Sequence, residues 1–213
     1  MKKIVFGLFI CFFLALPAIS FGATGWYGSV NAGVGIVPDS DADLTVQGLG
    51  TISAEISYDT GFTVGGAVGY MMEYFRVEGE ISYQANDVDS ISISGLGSAP
   101  ANGDVSALTF LVNGYYDFAT GGPLTPYITA GLGFSNVEAD SGGVSEDDNL
   151  FTYQLGVGVG YAISETVTLD LRYRYLGFED FESSGYDPDF AANYTEKVEI
   201  SSHNITAGLR FAF

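Results

Sequence analysis

Ser201, Ser202 and His203 stand together near the carboxyl end of the chain, with Glu199 just before them. A nucleophile, a base and a carboxylate are the parts of an acyl-transfer site. Such a site needs the base oriented by the third group and a donor pocket for the oxyanion. Strand parity puts Ser201, His203 and Glu199 on one side, but no donor pocket is evident, so an interfacial histidine is the better reading. A second set is ionic: Arg76, Arg172, Arg174 and Arg210, with Glu78, Glu80, Asp117 and Asp170. Gathered in one place, these groups would either line a small pore or neutralise one another in a structural plug. A third set is acidic, with Asp39, Asp41 and Asp43 in one run and Glu146, Asp147 and Asp148 in another. Hard cations want oxygen ligands, but neither run has the spacing of a calcium loop. Diffuse cation condensation is expected there rather than a defined metal site.

The elements that must position these groups are strands. Ile205, Ala207, Leu209, Phe211 and Phe213 fall on one face of the last segment, opposite Asn204, Thr206, Gly208, Arg210 and Ala212. A period of two over this length makes one oily and one polar side. Segments of this kind recur at 26–37, 61–72, 75–86, 104–118, 125–137, 149–162, 166–178 and 198–213. The connections alternate in length: long at 38–60, 87–103 and 179–197, middling at 138–148, short at 73–74, 119–124 and 163–165. TGG at Thr120, Gly121 and Gly122 reads as a turn and not as a phosphate cradle.

The two faces decide how the strands close. In 166–178, Leu169, Leu171, Tyr173 and Tyr175 oppose Thr168, Asp170, Arg172 and Arg174. In 75–86, Phe75, Val77, Ile81 and Tyr83 oppose Arg76, Glu78, Glu80 and Ser82. The polar faces carry ions and glycine, too little oil for a conventional core. An inverted barrel solves this, with the oily faces outward and four arginines enclosed with four carboxylates. Eight strands leave a bore narrow enough for side chains to fill. Glycines on the enclosed faces would make room for the arginines. Trp26, Tyr70, Tyr83, Phe118, Tyr127, Phe134, Phe151, Tyr161, Tyr175, Phe211 and Phe213 read as girdles at the strand ends.

Residues 1–23 are a different kind of sequence: Lys2 and Lys3, an apolar run, Pro17, then Ala18, Ser20, Gly22 and Ala23. This pattern is expected to be a cleaved secretory signal, leaving 24–213 as one barrel domain. Its loss removes Cys11, the single cysteine, and leaves Arg76, Arg172, Arg174, Lys197 and Arg210 against all 26 acids, a net charge of −21. Twenty of those acids lie in or beside the long connections, where Lys197 is the only cation. So acidic a surface argues against nucleic acid as a partner.

The segments TGFTVGGAVGY, FRVEGEISYQ, LTPYITAGLGF, YQLGVGVGYAISETVTLDLRYRYLG and HNITAGLRFAF resemble the small outer-membrane β-barrel superfamily. That group includes OmpA-type and OmpX-type barrels, opacity proteins and alphaproteobacterial surface antigens. The resemblance implies an all-β fold: an eight-stranded antiparallel up-and-down transmembrane barrel with four long extracellular loops and three short periplasmic turns. It also implies residence in the bacterial outer membrane, and Phe213 as the terminal aromatic read by the assembly machinery. The expected role is non-enzymatic: surface antigen, adhesion or envelope integrity. Its partners would be outer-membrane lipid, the assembly machinery and an extracellular or host ligand met by the loops, with no cofactor. A small porin-like channel is the alternative, and a barrel-embedded lipid-modifying enzyme built on His203 the third reading.

Overall fold

The structure is a computed structural model that describes residues 24–46, 50–93, 97–100, 103–141, 144–179, 181–187, 192–198 and 201–213. Residues 1–23, the expected signal segment, and Glu199 lie outside the described residues. Eight strands form the barrel: β1 (Gly25–Ile36), β4 (Gly61–Met72), β5 (Phe75–Ile93), β7 (Gly103–Asp117), β8 (Leu124–Ser141), β9 (Val144–Ala162), β10 (Val167–Phe178) and β13 (Ser201–Ala212). Each pairs antiparallel with its neighbour in chain order, and β13 returns to β1 from Tyr27↔Ala212 to Ile36↔His203. Closure removes the sheet edges that an open sheet would expose.

Five further strands stand beyond one end of this barrel: β2 (Ser40–Val46), β3 (Gly50–Tyr58), β6 (Gly97–Pro100), β11 (Phe181–Asp187) and β12 (Ala192–Val198). They pair with one another and with the far end of β5, so much of what reads as long loops is a continuation of the wall. The alternation of Ile52, Ala54 and Ile56, and of Ser90, Ile91, Ser92 and Ile93, carries this β signal, which the surrounding acids obscure. Of the segment expected at 198–213, Val198 lies in β12 and Ser201–Ala212 form β13.

At the other end the connections are tight. Glu73 and Tyr74 join β4 to β5, and the Asp117 N–H donates to the Tyr74 carbonyl at 2.8 Å. Gly121 has φ of 73°, a left-handed conformation that a side chain disfavours, so the TGG segment is a turn for a backbone reason. Ser164 Oγ accepts from the Val167 N–H at 3.1 Å and closes the last of the three.

The inversion holds. Val112, Leu132 and Phe134 point away from the axis and are 65%, 59% and 62% exposed, whereas Arg174, Gln154 and Asn113 point inward and are 1% exposed. Two expectations need correction. Tyr127 is not a girdle residue: it points into the barrel and is 2% exposed. Its parity with Thr129 and Gly131, opposite Ile128 and Leu132, requires this once β8 is closed into the wall. Nor is the interior wholly polar, because Leu111, Leu176 and Phe178 are buried together, with Val137 and Leu150 packed against them. Leu176 and Phe178 continue the enclosed face of Arg172 and Arg174 up β10, beside the buried polar Gln154 and Thr152 of β9.

Candidate functional site

The four arginines and four carboxylates converge inside the barrel because each sits on the inward parity of its strand. Arg76, Glu78 and Glu80 come from β5, Asp117 from β7, Asp170, Arg172 and Arg174 from β10, and Arg210 from β13. All are buried except Asp170, which is half-buried.

The charges are sorted into groups. Arg76 grips Asp117 in a two-pronged contact, Nε to Oδ2 at 2.8 Å and Nη2 to Oδ1 at 2.9 Å. Such fork-to-fork pairing fixes geometry as well as charge. Glu80 is the hub: Arg172 donates to both of its oxygens at 3.0 and 3.3 Å, Arg174 Nη1 to Oε1, and Asn113 Nδ2 to Oε2 at 2.9 Å. Arg174 is tied further by Nε to Asn204 Oδ1 at 2.9 Å and Nη2 to Ser82 Oγ at 3.2 Å. Arg210 lies 3.7 Å from Asp170, a looser pair.

Glu78 departs from simple cation pairing, since two tyrosines donate hydrogen bonds to it. Tyr27 Oη donates to Oε2 at 2.9 Å and Tyr115 Oη to Oε1 at 2.7 Å. Tyr127 donates in the same way to Asp170. The Arg76 guanidinium lies over the rings of Tyr115 and Tyr127, 4.1 and 4.8 Å from their centroids, where the ring faces attract a cation. These three tyrosines are the functional residues that reading for ions alone misses. Parity exposes them: Tyr27 shares a face with Ser29 and Asn31, and Tyr115 with Asn113 and Asp117.

The enclosed glycines serve the rings more than the arginines. A Cβ on Gly69 would meet the Tyr27 ring, and one on Gly158 the Tyr127 ring. Gly160, facing Arg210, and Gly156, beside Arg174, are positions where an arginine claims the space as expected. Above the ions, Gln84 Nε2 donates to Asn86 and Ser202 at 2.8 and 2.9 Å, and Asn204 Nδ2 to Gln84 Oε1 at 2.7 Å. One cavity of about 30 Å³ lies among residues such as Asn31, Glu78 and Arg210. Arg210 Nη1 and Asn31 Oδ1 are buried there without a protein partner. That volume suits about one or two water molecules and no larger solute.

The other sequence candidates do not assemble. His203 is turned to the outer face of the wall, where Tyr173 Oη lies 2.7 Å from Nδ1 and the two rings stack with centroids 6.0 Å apart. Ser202 points the opposite way, into the Gln84 and Asn204 network. The side chains of Asp41, Asp43, Glu146 and Asp147 lie outside the described residues, as does Glu199. Among the described residues no group of three or more His, Cys, Asp or Glu is placed to hold a metal. Phe213 follows β13, and its N–H donates to the Trp26 carbonyl at 3.0 Å, tying the chain end to the first strand.

A closed antiparallel wall with a polar interior and an apolar exterior defines a barrel of the outer-membrane type. The family model for the outer membrane protein beta-barrel domain matches residues 6–213, and the chain belongs to that family. It is a protein of the bacterial outer membrane. The outer membrane protein PagN of Salmonella typhimurium is 30% identical over 121 residues, 51% of this chain and 51% of PagN. The chain thus aligns with about half the length of that relative. A putative adhesin of Rickettsia bellii is 27% identical over 218 residues, covering 92% of each chain. Among solved structures, OprG from Pseudomonas aeruginosa superposes with a TM-score of 0.61 at 16% identity, over 90% of this chain and 99% of that one, which shows a common fold.

Proposed function

We propose that this is a non-enzymatic surface protein whose acidic strand extensions make contacts outside the cell, as a surface antigen or adhesin, on a barrel that is structurally plugged. In this reading the apolar belt meets acyl chains, the three short turns face the periplasm, and β2, β3, β6, β11 and β12 stand outside. The observation that carries it is the contrast between a packed interior and an elaborated rim: paired ions are buried across the enclosed face, around a cavity of about 30 Å³, while the long connections are built into wall. Binding residues concentrate where a rigid scaffold presents variable segments. The names of the Salmonella and Rickettsia relatives support the same assignment. Phe213, with an aromatic side chain at the close of the last strand, is suited to recognition by the assembly machinery, and residues 1–23 to export.

Intact cells carrying the protein test the orientation. Added protease should cleave within the rim segments and leave the short turns untouched; cleavage in the turns of intact cells, with the rim cut only after outer-membrane permeabilisation, reverses the assignment. Planar-bilayer recording tests the plug. Steady openings of the wild-type barrel would establish the channel reading instead.

A further inference from the structure

The upper wall has one seam that does not zip. Four pairs of strands meet at the rim without a hairpin turn joining them there. Three of these stay paired: β2 with β12 up to Val46↔Tyr194, β3 with β5 up to Ala54↔Ile93, and β7 with β8 up to Gly103↔Ser141. The fourth ladder, β9 with β10, ends at Thr152↔Phe178, with one further bond from the Glu179 N–H to the Phe151 carbonyl. Beyond it β9 keeps only β8 as a partner through Val144, and β11 keeps only β12, among the described residues. Two strand edges, 144–150 and 181–187, therefore flank one opening. An unpaired edge of this kind is a template for an added strand.

Charge defines what such a strand would carry. Lys197 occupies the register position between Glu182 on β11 and Asp43 on β2, so the only cation of the long connections is already placed in a zipped ladder. Continuing the Thr152↔Phe178 register past the end of the β9 and β10 ladder would bring Asp148 opposite Glu182, with Glu146 and Asp147 alongside. Directly opposed like charges weaken a strand pair. A second copy of this chain would bring more of the same sign.

We propose that this seam binds an extended, lysine- or arginine-bearing segment of another protein by strand addition, backbone to backbone, with the partner supplying the cations that the seam lacks. The proposal rests on the reading of the rim as extracellular. Its test uses the folded full chain in detergent and does not depend on orientation, which the protease experiment decides separately.

The probe is an eight-residue peptide of alternating lysine and valine, compared with the same peptide N-methylated at every residue and with its glutamate counterpart. Binding is read by fluorescence anisotropy, and hydrogen exchange is followed at residues 144–150 and 181–187. The expected result is binding of the lysine peptide at least tenfold tighter than either control, with new amide protection at both edges. Glu182→Lys, which would let the seam zip onto Asp148, should weaken binding by more than Asp89→Lys, which removes the same charge elsewhere. Equal binding of the methylated peptide would mean charge attraction alone and overturn the proposal. So would edge amides protected before peptide is added, whether by a closed seam or, if cross-linking gives dimers, by a second copy.

Discussion

Glu80 and Asp104 are carboxylates on adjacent strands, β5 and β7, at different heights of one wall. Glu80 is enclosed, 4% exposed, and gathers Arg172, Arg174 and Asn113. Asp104 is exposed at the rim and sits in register opposite Asp87 on β5 and Asp140 on β8. The lower wall cannot tolerate an unmatched charge, because a buried ion without a partner is strongly destabilising. The rim can, because water screens neighbouring acids. One period-two pattern thus produces two electrostatic regimes, and removing a carboxylate should have opposite signs in them.

The largest effect is expected for Glu80→Ala, which strands Arg172 and Arg174 in the interior. About 3–5 kcal/mol of folding stability should be lost, read as a fall in the urea midpoint of the detergent-folded barrel. A change near zero would mean that the network does not hold the interior. Gly158→Ala, which forces a Cβ against the Tyr127 ring and the Leu171 carbonyl, should cost roughly 1–3 kcal/mol by overpacking. Gly121→Ala has open space around it but a positive φ, and should cost about 1 kcal/mol through backbone strain alone. The two glycine variants separate interior packing from turn conformation in a single denaturation series.

At the rim the sign should reverse. Asp104→Asn removes one member of a row of like charges and should stabilise by roughly 0.2–1 kcal/mol at low ionic strength. The gain should shrink at about 1 M salt, where the screening length is near 3 Å. A loss of stability would show that this aspartate has a partner and that the comparison fails. His203→Ala should change stability least, by under about 1 kcal/mol for one exposed hydrogen bond. It should leave turnover of lipid A or phospholipid ester unchanged in a mass-spectrometric assay.

The barrel strands were legible because enclosure by lipid or by side chains imposes strict alternation, as in Leu169, Leu171 and Tyr173 against Asp170, Arg172 and Arg174. The eight site ions followed from the same parity. Tyr27, Tyr115 and Tyr127 were readable by that rule too, but an aromatic near a strand end fits a girdle as well as an interior, and only ring closure separates the two. The rim strands β2, β3, β11 and β12 escaped because their acids and glycines look like loop, and because non-local pairing leaves a weak local signature.

The alternation of side chains along each strand, and the segregation of nearly all unmatched acid into the long connections, were settled by the sequence alone, since parity is a property of the extended chain. Which arginine meets which carboxylate, that Glu78 is held by tyrosines, and that the wall stays unzipped between β9 and β11 were decided by the tertiary structure. Those facts depend on register between strands as far apart as Glu80 and Arg174, and register is fixed only when the barrel closes.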